Sequence, residues 1–118
     1  MKEFSDRLIT FAADVFRFTR QLSRVPDGRY LGSQLMRSSA SAGANYEEAC
    51  GAESRADFAH KLQIVLKELR EANYWLRLIG KTELVGERAL SPLLSESESL
   101  VKLFAKSVVT VKSKPGKS

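Results

Sequence analysis

The chain has 118 residues, of which 43% are hydrophobic, 28% charged and 8% aromatic, with a formal net charge of +5, one cysteine and one histidine. A chain of this length sustains one core and not two full domains, since roughly two thirds of its unfolded surface can be buried on folding. A lone Cys50 excludes a disulfide framework and fits a reducing, cytoplasmic setting; no apolar run approaches the ~20 residues of a membrane span, and Glu3 and Asp6 stand where a signal segment would be basic and then apolar.

Phe4, Leu8, Phe11, Val15, Phe18, Leu22 and Val25 alternate by four and three, the spacing of a helix with one face turned inward. This first helix should stop before Pro26-Asp27-Gly28, because Pro26 disfavours helical geometry at Val25 and Asp-Gly favours a turn. A second helix is expected from about Leu31 to Ala52, on the stripe Leu31, Leu35, Ser38, Ala42, Asn45 and Ala49. Its middle, Ser38 to Ala44, is small and polar, which points to close approach of another helix with the hydroxyls and Asn45 bonded inside the bundle.

Ser54 with Asp57 three residues on resembles a capping box, and Phe58, Leu62, Val65, Leu69, Ala72, Leu76 and Ile79 then continue the four-three pattern. Gly80 is expected to end this third helix as a left-handed cap. The fourth stripe is Leu90, Leu94, Ser97, Val101, Phe104, Val108 and Val111. Its helix either starts with Ser91 as cap and Pro92 as first residue, follows a short turn over Glu87 to Leu90, or is longer and kinked at Pro92. Four such helices joined by short turns make an all-α, up-down-up-down bundle over residues 1–112, followed by a basic tail at 113–118. Ile9, Phe16, Trp75, Leu78, Leu93, Leu100 and Leu103 fall beside the inward seams and either widen the core or form a subunit interface.

The charge is unevenly placed. Residues 101–118 hold Lys102, Lys106, Lys112, Lys114 and Lys117 and no acid, whereas residues 1–100 carry 14 basic and 14 acidic groups. Such a segment either aids solubility or attracts phosphate, and without interleaved aromatics it offers charge but no base stacking. Arg17, Arg20 and Arg24 form a second basic ridge at i, i+3 and i+7, read either as cations favoured at a helix C-terminus, with Asp14 pairing Arg17, or as phosphate contacts. In an up-and-down bundle this ridge lies at the pole opposite the tail.

Catalytic and metal signatures are absent from the pattern. A di-iron bundle needs Glu-x-x-His on two helices, and His60 is the only histidine; Glu47, Glu48, Glu68 and Glu71 all have basic neighbours to pair with. Cys50, Asp57 and His60 straddle a helix boundary, and the glycines are isolated instead of forming a phosphate-cradling loop. No enzyme activity, cofactor or metal is therefore expected.

The string Gln34 to Ala49, with Arg37, Ser38, Ser41, Asn45, Glu48 and Ala49, then Ser54, Asp57 and Phe58, Lys61 to Ile64, and Lys67-Glu68-x-x-Glu71-x-x-Tyr74-Trp75-Leu76, is similar to the four-helix-bundle family of 23S ribosomal RNA intervening-sequence proteins. The resemblance implies an up-and-down bundle assembled as a homopentamer, without enzymatic activity. A relative of that family, the accessory protein of diversity-generating retroelements, is a basic pentamer that binds nucleic acid and a reverse transcriptase. Ala42 and Tyr46 depart from the isoleucines frequent in the family, and the body of this chain is neutral instead of basic. Arg37, Ser41, Asn45 and Glu48 are expected to form a polar strip that fixes helix register or a subunit seam. The function expected is a non-enzymatic helical oligomer that binds or scaffolds, with nucleic acid as partner; the alternative is a protein-interaction module that receives a partner helix in a groove near Trp75.

Overall fold

In the computed structural model, which describes residues 2–113, the four stripes become α1 (Lys2–Thr19), α2 (Pro26–Cys50), α3 (Arg55–Thr82) and α4 (Glu87–Ser113), with one 3-10 turn at Arg20–Leu22. Each helix packs on the next in sequence and α4 returns to α1, most extensively between α2 and α3 and least between α1 and α4; α1 and α3 lie on the diagonal. The result is an antiparallel four-helix bundle 52 Å long and about 20 Å across. No strand occurs among the described residues.

The core follows the predicted seams on α1 and α3. Leu8, Phe11, Val15, Phe18 and Leu22 are buried on the first, and Leu62, Val65, Leu69, Ala72, Leu76 and Ile79 on the second. Near one end, Phe104 meets Phe4 and Tyr46 edge-on, each at 5.6 Å between centroids, an arrangement that favours ring edges against faces. Tyr46, not Asn45, occupies the inward position on α2, and burial pushes its phenol up to about 12. Asn45 is half-buried and donates to the carbonyl and hydroxyl of Ser41 on its own helix.

Two boundaries differ from the sequence pattern. Val25 is extended (φ −123°, ψ 152°), as the following proline requires, but Pro26 then opens α2 at its first position, so the helix starts before Leu31. Gly28 lies against the preceding turn: a Cβ there would stand 2.0 Å from the Leu22 carbonyl oxygen, so the residue serves close approach of backbone. Gly80 is helical as well. A Cβ on it would meet Leu90 at 2.9 Å, and the left-handed residue is Glu83 (φ 60°), whose N–H donates to the Gly80 carbonyl.

α4 is the longer of the helices considered, with Pro92 inside it. Gly86 accepts from Ala89 and Leu90, while Leu90 and Leu93 anchor the first turns in the core; Pro92 itself is exposed, on the side where a carbonyl left without its N–H can meet water. The α4 seam is also rotated. Leu93 and Leu100 are buried with Leu90, Ser97, Phe104 and Val108, whereas Leu94 and Val101 are half-buried at its side. Adjacent apolar pairs at 93/94 and 100/101 leave the phase of the stripe open in sequence, and packing places Leu93 and Leu100 inward; Ser97, common to both phases, accepts from Asn73 at 2.8 Å.

Ser54 caps α3 as expected, its hydroxyl accepting the Asp57 N–H at 3.0 Å. Gly28→Ala should lower stability by about 2 kcal/mol or more, since the clash is with backbone, and Glu83→Gly should raise it by about 0.5–1 kcal/mol by relieving a left-handed non-glycine residue. Urea unfolding of both variants measures each change.

Candidate nucleic-acid interface

Three groups of basic side chains stand out on the bundle. Lys102, Lys106 and Lys112 project from the last turns of α4, all exposed and without an ion pair among the described residues; Lys114 and Lys117 lie outside the described residues. The Arg17, Arg20 and Arg24 ridge sits at the other pole. Arg17 is held by Asp14 one turn back, while Arg20 and Arg24 border an open groove that Leu84 also lines.

The third group is on α3. Gln63, Lys67, Arg70, Tyr74, Arg77 and Lys81 repeat by four and three on the reverse of the α3 core seam, and every one of them is exposed. The signal was present in sequence as a second four-three series, polar where the first is apolar. Arg70 and Arg77 also border a groove of about 430 Å³ against α4, shared with Asn73, Glu98, Val101 and Lys102. Arg77 donates through Nε to Asn73, and its guanidinium lies 6.0 Å from the Tyr74 ring.

The Arg37, Ser41, Asn45 and Glu48 series faces the α2–α3 seam. Arg37 donates to Glu68 at 3.5 Å and to Glu71, and the latter carboxylate also accepts the Trp75 indole N–H at 3.1 Å. Glu48 takes the Lys61 ammonium at 2.7 Å, which holds that lysine above its ordinary range. Ser41 and Asn45 bond to each other. The series therefore ties helix to helix at its two ends and is self-contained in the middle. Hydrogen bonding from Arg37, then from Trp75, holds the Glu71 carboxyl below the ordinary carboxylate value.

Trp75 is half-buried between Tyr30, 5.9 Å away and edge-on, and Tyr74 at 5.0 Å. Of the apolar residues beside the seams, Ile9 is 68% and Phe16 44% exposed, both on α1, and Leu78 and Leu103 are half-buried. Leu93 and Leu100 are interior to the subunit's own core, which removes them from any subunit interface. A shallow groove with Ala12, Ala40, Gly43 and Ala44 runs beside Ile9. Among the described residues no three His, Cys, Asp or Glu side chains converge to hold a metal, and no helix is long and apolar enough to cross a membrane.

The family model of 23S rRNA-intervening sequence proteins matches residues 3–106. The structure is similar to the crystal structure of a protein of unknown function from the S23 ribosomal protein family of Bacteroides thetaiotaomicron VPI-5482, at 33% identity over 89% of this chain and 97% of that one, with a TM-score of 0.82. No curated protein matches the chain. Neither match indicates an enzyme family.

Arg37→Met should cost about 2 kcal/mol, between the values for exposed and buried pairs, because Glu68 keeps a buried carboxylate and loses its cation. The Glu71 contribution is present above the ordinary carboxylate value of 4.5 and fades as the pH falls through its lowered one. Glu71→Gln should therefore flatten the acid limb of a stability profile taken by urea unfolding from neutral pH to about pH 3.

Proposed function

The chain belongs to the 23S rRNA-intervening sequence protein family, and from that premise we propose that it is a non-enzymatic binding module for nucleic acid that works as a homo-oligomer. The observation that carries this reading is the segregation of charge. The chain from residue 101 onward contributes five lysines and no acid, and Lys102, Lys106 and Lys112 stand exposed along the end of α4. Of these, Lys102, Lys106 and Lys112, with no ion pair among the described residues, are available to displace the counterions of a phosphate backbone.

Assembly multiplies the effect. A homopentamer, as the family resemblance implies, brings five copies of this segment to one face of a ring, because cyclic symmetry points every copy the same way. The exposed pair Ile9 and Phe16 supports α1 as the surface through which copies meet, since apolar side chains of that size gain by leaving water.

Labelled structured RNA and duplex DNA are titrated with the full chain and with a variant in which Lys106, Lys112, Lys114 and Lys117 are changed to glutamine. The full chain is expected to bind both at low salt, with affinity falling steeply as salt rises, and light scattering is expected to give five times the 13.2 kDa chain mass. An absence of binding by the full chain at low salt would overturn the reading and leave a protein scaffold. A scattering mass of a single chain would overturn the assembly.

A further inference from the structure

Neutrality of residues 1–100 is an average over faces, and the outward face of α3 departs from it. Lys67, Arg70, Arg77 and Lys81 line up there with Tyr74 at their centre and no acid in the series. None of the four forms an ion pair among the described residues. Glu71, one turn from Lys67, is already occupied by Arg37 and Trp75. Glu98 is the one carboxylate bordering the adjoining groove, and it is outnumbered there by Arg70, Arg77 and Lys102.

We propose that this strip is a binding surface for single-stranded nucleic acid, with phosphates running along Lys67, Arg70, Arg77, Lys81 and Lys102 and a base stacked on Tyr74. The proposal rests on the nucleic-acid reading above and moves a principal contact from the end of the chain to the body of the bundle.

Three features favour this occupant. From Lys67 to Lys81 the helix rises about 21 Å, long enough to follow several successive phosphates of one strand. Tyr74 is 46% exposed, with a guanidinium beside its ring and Trp75 edge-on behind it, so the aromatic surface is presented at a fixed position among the cations. Every base has a face to stack on such a ring, and a duplex keeps those faces covered, so Tyr74 contributes only when the strand is unpaired. The strip also adjoins the groove beside α4, where Lys102 extends the line of cations.

The test uses one mixed-sequence oligonucleotide as labelled single-stranded RNA, single-stranded DNA and duplex DNA. These are titrated against the full chain, the lysine-to-glutamine variant of the C-terminal segment, Tyr74→Ala, Tyr74→Phe, and a variant carrying Lys67→Gln, Arg70→Gln, Arg77→Gln and Lys81→Gln together. Both single strands should bind more tightly than the duplex, the tighter of them identifying the preferred sugar. The fourfold variant should lose about tenfold or more, and its log-log salt slope should fall by about 0.7 for each charge removed. Tyr74→Ala should weaken single-strand binding by about tenfold and leave the duplex nearly unchanged, while Tyr74→Phe retains the ring and the affinity. Circular dichroism checks each fold; should the fourfold variant fail to fold, Lys67→Gln and Lys81→Gln, whose side chains make no hydrogen bond among the described residues, carry the same comparison singly. Binding that survives every strip variant but is lost with the C-terminal lysines would overturn this inference and leave the proposed function standing. Equal affinity for duplex and single strand, insensitive to Tyr74, would overturn it as well. No binding by the full chain to any of the three overturns both.

Discussion

Close approach of α2 to its neighbours, made by side chains too small to hold them apart, is the constraint on which the bundle depends. Ser38, Ser39 and Ala42 are buried where a bundle helix would ordinarily place leucines. Burying a hydroxyl costs free energy unless it is bonded, and both serines satisfy themselves inside their own helix: Ser38 donates to the Gln34 and Leu35 carbonyls and Ser39 to that of Met36. No hydrogen bond across the interface is needed, so helix separation is free to be set by contact of small side chains. The same device recurs at Gly28 and Gly80, each placed where another element comes within a Cβ's reach.

That proximity organises the polar surface beside it. Arg37 reaches across α2–α3 to Glu68 and Glu71, and Glu71 in turn accepts the Trp75 indole. With its N–H on Glu71 of its own helix, Trp75 lies against Tyr30 of α2, and Tyr74, the preceding residue, is carried to the outside. One sequence of contacts thus takes the acids of central α3 into pairs at the seam and leaves its cations on the opposite face. Charge that balances in composition is sorted by the fold.

The helices were legible because each carries a long four-three apolar series, and such a series fixes both type and length better than any local propensity could at Ser38 to Ala44. The cap at Ser54 was legible for the same reason, a local bond needing only a local spacing. Other features were not local. Pro26 and Gly80 read as helix ends by their own preferences, yet Pro26 suits a first helical position equally well and Gly80 was required by Leu90 of another helix. On α4, the apolar pairs Leu93/Leu94 and Leu100/Val101 made two phases equivalent in sequence, and only packing of the helices places Leu93 and Leu100 inward. The α3 cationic strip could have been read from spacing alone, but a neutral total for the body concealed it.

The sequence by itself determined four amphipathic helices, their order, the up-and-down topology that short turns enforce, and a charge excess confined to its last eighteen residues. Periodicity suffices for that, because burial of one helical face requires nothing beyond the chain's own pattern. Tertiary structure alone decided which of two adjacent apolar residues enters the core, which acids are consumed in pairs, and which aromatics and cations remain outside. Those outcomes depend on distances between side chains far apart in sequence, and distances of that kind exist only once the helices have packed.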